Sequence, residues 1–260
     1  MQQRGVGTAD EPATEETTAT TGNQKRRRWL WTGVALILLL GTATAVVTSR
    51  WPHQQTVASL RPSGIPASIP DGTVNLMGLS PVPAQAAPGF TLTDQNGRAI
   101  PLSAFRGKVV VLEFMDPHCV DICPLVSQEF VDAYHDLGPA AGKVVFAAVN
   151  VNQYFNRVPD VLAYSRAHQL STIPDWHFFT GPVTALQAVW NHYNVLVQAP
   201  NPNADIIHTS IVYFIGPDGI ERYGASPMAD YTNSGSAYLP TGQLTDWGRG
   251  IALVAKSLAS

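Results

Sequence analysis

Apolar and polar positions fall into distinct regimes along the chain. Residues 1–24 are rich in Thr, Ala, Glu and Gly with almost no bulky apolar side chain, too little buriable surface to offset the entropy of ordering. With the basic cluster after them they are read as a disordered cytoplasmic tail, 1–28. Residues 29–49 then contain no charged side chain and include the run Val34-Ala35-Leu36-Ile37-Leu38-Leu39-Leu40. As a helix rising ~1.5 Å per residue they span ~30 Å, the thickness of a hydrocarbon core. Residues 50–88 carry prolines 52, 62, 66, 70, 81, 83 and 88 without sustained periodicity, which predicts an extended linker. Residues 89–260 suit one domain with one core.

Inside that domain the period switches between strand and helix. Residues 108–114 and 143–149 are short, continuously apolar and β-branched, as strands buried on both faces should be. Between them, 124–137 places Leu125, Val126, Phe130, Val131 and Tyr134 near helical spacing, and Gly138-Pro139 stops it. The pattern continues with a helix over 159–169, a strand over 176–179, a helix over 183–193 and a strand over 206–215. A Gly216-Pro217-Asp218-Gly219 turn follows, with a hairpin partner over 220–223. A closing helix over 243–258 turns Leu244, Trp247, Ile251, Val254, Ala255 and Leu258 inward. Parallel β-α-β units followed by an antiparallel hairpin and a covering helix imply an α/β fold. It is a thioredoxin-like mixed sheet with helices on both faces, preceded by one N-terminal transmembrane helix.

Charge then sets the compartment. Lys25, Arg26, Arg27 and Arg28 stand directly before the apolar span and only Arg50 directly after it. The positive-inside bias therefore predicts a single-pass protein of the cell membrane, N-terminus cytoplasmic and C-terminal domain extracytoplasmic. Ala43-Thr44-Ala45 offers a competing reading as a cleavage site, with the same address. Only 13% of residues are charged, against ~25% in an ordinary soluble protein, which excludes disorder throughout and fits a membrane contact. Residues 51–260 hold 10 basic and 15 acidic side chains; no basic face is offered to nucleic acid.

The chemistry follows the first core strand, in Cys119-Val120-Asp121-Ile122-Cys123-Pro124. Proline favours the first helical position, which places Cys123 at or near the N-cap. The helix dipole should then lower the thiol's pKa below ~8.5, with His118 adding positive charge. The four-residue offset brings two sulfurs within reach of each other or of one soft metal ion. A purely structural disulfide would close so small a loop that it stabilises little. A third metal ligand has to come from elsewhere, and His208 is the candidate. It lies in the strand whose start, in a thioredoxin-type sheet, adjoins the start of the first helix.

Phe114, Cys119-x-x-x-Cys123-Pro124, His208 and the run Val212-Tyr213-Phe214-Ile215-Gly216-Pro217-Asp218-Gly219 resemble the Sco (SenC) family of membrane-anchored thioredoxin-fold proteins, over roughly residues 88–258. The resemblance implies copper as the bound ion, Cu(I) or Cu(II) after oxidation, with Cys119, Cys123 and His208 as ligands. It also implies a role in assembling the copper site of cytochrome c oxidase. Two thiolates and an imidazole suit soft Cu(I). The family usually reads Cys-Pro-Asp-x-Cys-Pro, where this chain has Val120 for the first proline and retains Asp121. The acidic residue commonly preceding the histidine is Ile207 here, and an Asp-Pro-rich segment is replaced by Asn150-Val151-Asn152-Gln153-Tyr154-Phe155-Asn156.

Two classes of function follow. As a metallochaperone the protein passes copper to an exported copper-accepting protein, an oxidase subunit being one such acceptor. As a thiol-disulfide oxidoreductase it uses Cys119 and Cys123 as a redox pair, Cys119 attacking and Cys123 resolving. Both need a thiol reductant outside the cytoplasm. A peroxidase of the peroxiredoxin type would need Thr three residues before its reactive Cys, where Asp116 stands. A scaffold that merely keeps the fold leaves the spacing of the triad unexplained. His135, His168, His177 and His192 lack metal-ligand spacing. Glu113, within an apolar strand, should have a raised pKa or a partner if it is buried.

Overall fold

The computed structural model describes residues 61–260; the expected tail and membrane span lie outside them. Among the described residues no helix is long and apolar enough to cross a membrane. Among the described residues, the two continuously apolar runs are strands: β4 is Val109–Met115 and β5 is Val144–Asn150, buried at every position. With β6 (Trp176–Phe179) they form a parallel core, in the register Val111↔Phe146↔Trp176. β9 (Val212–Ile215) runs antiparallel to β4, β10 (Glu221–Ala225) antiparallel to β9, and β1 (Ser80–Pro81) closes the edge. The sheet order is β1-β10-β9-β4-β5-β6.

Strand periodicity sorts the core into two layers. Val109, Val111 and Met115 face one cluster, which holds side chains of α2 (Ile122–Leu137), α3 (Val158–Ala167) and α5 (Thr241–Leu258). Val110, Leu112 and Phe114 face the other, with Leu186, Val189 and Trp190 of α4 (Val183–His192). α5 packs along α2, and Gly248 is the point of closest approach. A Cβ there would stand 2.6 Å from the Asp132 Cβ and 3.1 Å from the Glu129 carbonyl oxygen. Helices on both faces of a mixed sheet are the thioredoxin-like arrangement the period predicted.

Two expectations are corrected. Residues 61–88 are not a free spacer: they contain α1 (Asp71–Leu76) and β1, and Ile65, Ile69, Val74, Met77 and Leu79 are buried in the core. Proline punctuates this segment without detaching it. Pro70 caps α1, and Pro81 sits on an edge strand, where a missing N–H is tolerated. The strand over 206–215 is also broken in two. β8 (Ile207–His208) pairs with β7 (Val197–Gln198) in a separate ribbon, and only β9 joins the main sheet. Two further ribbons, β2 (Thr91–Thr93) with β3 (Ala99–Pro101) and β11 (Asp230–Tyr231) with β12 (Ala237–Tyr238), complete the described strands.

Candidate metal centre

The loop from β4 to α2 carries Cys119 and the first turn of α2 carries Cys123, and both are free thiols. The N-cap of α2 is Asp121 rather than Cys123. Its Oδ1 accepts from the Ile122 N–H at 2.5 Å and from the Cys119 thiol at 2.9 Å. Cys123 therefore lies inside the first turn and is buried, while Cys119 is half-buried at the mouth. The Cys123 N–H points at the Cys119 sulfur, 3.4 Å away, so this donor at the start of the helix serves Cys119.

This reverses the expected acidity of Cys123. Its thiol is held well above the ordinary cysteine range, first by its hydrogen bond with Cys119 and then by burial; the Asp116 backbone is the partner that opposes them. Two sulfurs in hydrogen-bond contact share one proton readily and resist losing the second in an apolar surround. The arrangement suits any reaction in which a cation, or a sulfur–sulfur bond, replaces that proton.

Two residues that sequence reasoning passed over hold the loop. Asp116 is buried, and its Oδ1 accepts from the His118 N–H at 2.8 Å and from the Asn152 side-chain amide at 2.8 Å. Its carbonyl oxygen accepts from the Cys119 N–H at 3.1 Å. Asn152 in turn accepts from the N–H groups of Tyr154 and Phe155. The signals were present as Asp-Pro-His before the first cysteine and Asn-Val-Asn after the second core strand, both Asx-turn chemistry. His118 stacks on Phe155, centroids 3.7 Å apart.

His208 stands at the end of β8, its Nδ1 3.0 Å from the Thr209 carbonyl oxygen. With a carbonyl as partner Nδ1 carries the proton and Nε2 keeps a free lone pair. Desolvation lowers the ring's pKa, against the Thr209 carbonyl and the charges of Asp116 and Asp121. The imidazole is thus a neutral ligand-type group in the electrostatic neighbourhood of the dithiol loop. The structure brings Cys119 and Cys123 together and does not draw His208 into contact with them. Among the described residues, no three His, Cys, Asp or Glu side chains are grouped closely enough to hold a metal ion. A cleft of about 340 Å³ joins the two segments, lined by Asp116, Cys119, Val120, Asp121, Asp205 and Ile206 among others.

A dithiol at the head of the first core helix of a mixed sheet, with a histidine-bearing ribbon beside it, defines a thioredoxin-like α/β protein with a soft-ligand site. The chain belongs to the SCO1/SenC family, whose model matches residues 80–227, more than half of its length. It is 24% identical over 132 residues to the SCO1 protein homolog of Bacillus subtilis (strain 168), covering 50% of this chain and 68% of that one. It is 30% identical over 163 residues to the mitochondrial SCO2 homolog of Homo sapiens, covering 56% of this chain and 58% of the human protein. It thus spans less than two thirds of the human relative's length. The structure of Bradyrhizobium japonicum ScoI with copper bound shares the fold: TM-score 0.50, 23% identity, covering 67% of this chain and 99% of that one.

Proposed function

We propose that the protein is a membrane-anchored, extracytoplasmic copper-binding protein that accepts Cu(I) on Cys119, Cys123 and His208 and passes it to an exported acceptor. The observation that carries the reading is the pair of free, contacting thiols at the mouth of α2, on a cleft shared with the segment that leads to His208. Two thiolates and one imidazole match the softness of Cu(I) and leave the bound ion with little net charge. Loading exchanges the two thiol protons for one copper ion, and transfer is ligand exchange onto the acceptor's own sulfur and nitrogen donors. The Bradyrhizobium japonicum relative, solved with copper bound, supports the choice of ion. Family resemblance supports an oxidase subunit as acceptor, and the apolar span at 29–49 supports the anchor.

A second reading rests on the unequal exposure of the two thiols. Half-buried Cys119 suits attack on a partner's disulfide, and buried Cys123 suits resolution. In that exchange the Cys119 thiolate forms a mixed disulfide and releases one partner thiolate. Cys123, losing its proton, then bonds to Cys119 and frees the second, so the partner is reduced and this protein oxidised. An external dithiol reductant resets it.

His208→Ala separates the two. Under copper transfer it removes a ligand and weakens Cu(I) binding by at least the roughly 10- to 100-fold that loss of a group supporting a ligand costs, while Cys119 and Cys123 still form a disulfide. Under thiol exchange the same variant leaves partner reduction unchanged, and Cys119→Ser alone abolishes it.

A further inference from the structure

Glu113 is the anomaly of the core strand: a fully buried carboxyl on β4, facing the layer that holds Cys123. The β4–β9 ladder runs Val110↔Ile215, Val111↔Phe214, Leu112↔Tyr213 and then ends. One step further, the Glu113 side chain takes over as partner. Its Oε1 accepts from the Ile211 N–H and from the Ser210 hydroxyl, each at 3.2 Å. Its Oε2 has no partner. Burial pushes this carboxyl up to about 8.

The segment it grips is the one that carries His208. On the far side His208 is fixed by the β7–β8 ribbon. There the Thr209 N–H donates to the Leu196 carbonyl at 3.0 Å, and the Thr209 hydroxyl oxygen accepts from the Leu196 N–H at 3.1 Å. On the near side the chain leaves the main sheet, and the hydrogen bonds of 210–211 to Glu113 replace the ladder that would otherwise hold them. β4 also leads directly into Cys119. A strand that bears one end of the site therefore grips, through one side chain, the segment that bears the other.

We infer that Glu113 is a positioning residue for His208, a side-chain stand-in for sheet pairing that sets where the imidazole stands relative to the Cys119–Cys123 pair. The inference rests on the copper reading above and deepens it. Glu129 of α2 supplies the control. It is equally buried, also raised to about 8 by burial, has no partner at either oxygen and touches no part of the histidine segment in hydrogen bonding.

The test uses the full chain in mild detergent, fully reduced, with Cu(I) titrated against a competing chelator. The Cu(II) complex is then inspected for the magnetic coupling of an imidazole nitrogen. Glu113→Leu should weaken Cu(I) by about 10- to 100-fold and lose or shift the nitrogen coupling, while leaving the reduction potential of the dithiol in place. Glu113→Gln, which keeps a neutral acceptor at Oε1, should restore both readouts. Ser210→Ala removes one donor without opening the core, and should weaken binding by about 2- to 10-fold, one hydrogen bond's worth. It carries the test alone if Glu113→Leu fails to fold. Glu129→Gln should behave as wild type. If His208→Ala abolishes the nitrogen signal while Glu113→Leu and Ser210→Ala retain it at wild-type affinity, the positioning role falls and the copper site stands. If the wild-type complex shows no imidazole nitrogen, both fall.

Discussion

Cys119 and Cys123 were legible as a working pair from spacing alone, but which sulfur the helix end favours was not. Sequence placed Cys123 at the N-cap because Pro124 looked like a first helical residue. Asp121 takes that place instead and turns the Cys123 N–H toward the Cys119 sulfur. A two-residue shift in the cap thus turns a helix-end donor from Cys123 to the sulfur of Cys119. Glu113 was legible as an oddity whose buried partner had to be found; the partners are Ser210 and Ile211, nearly a hundred residues away. The buried carboxyls also give a pH prediction. Glu129, near 4.5 when exposed, is raised to about 8 by burial, with the charges of Glu113 and Asp132 adding to the effect. The folded state therefore keeps a proton that the unfolded chain releases. Its stability contribution should fall as pH rises from about 4.5 to about 8 and level off above. Urea unfolding at pH 5, 6.5 and 8 should show Glu129→Gln removing that part of the decline and stabilising the protein at pH 8 relative to wild type. An unchanged slope in the variant would contradict the burial of an uncompensated carboxyl.

At the scale of elements, the alternation of apolar runs gave β4, β5, β6 and the four helices between and after them to within about two residues. Two elements were misread, each for a physical reason. Residues 206–215 are β-prone throughout, so nothing local marks the break at 209–211; a side chain from another strand decides it. Residues 61–88 are proline-rich, which argues against regular structure but not against burial of single apolar side chains between the prolines. Ile65, Ile69, Val74, Met77 and Leu79 are each under a tenth exposed. At ~2 kcal/mol per buried side chain they contribute on the order of 10 kcal/mol, comparable with the whole stability of a domain, about 5–15 kcal/mol. A fragment of residues 89–260 should therefore fail to unfold cooperatively, and one of residues 61–260 should do so. Equal melting transitions for the two would show that 61–88 adds nothing to the core.

At the scale of the molecule, the sheet order places the loop after β4 and the ribbon that precedes β9 on one cleft at one end of the fold, although His208 does not touch the cysteines. That juxtaposition was readable only through the thioredoxin-like topology, since periodicity assigns strands without their neighbours. The exposed part of the chain adds character to the site. Val120, between the cysteines, is 88% exposed, and Ile207, beside the histidine, is 63% exposed. Asp121 and Asp205 line the shared cleft. The central claim is that two thiols and one distant imidazole form a single soft-metal site. Competitive Cu(I) titration of the reduced full chain, beside Cys119→Ser, Cys123→Ser and His208→Ala, tests it most directly. The account predicts one tight site, weakened by about tenfold or more in every variant. Wild-type affinity in His208→Ala, or no tight site in the wild type, would contradict it and leave the thiol-disulfide oxidoreductase reading.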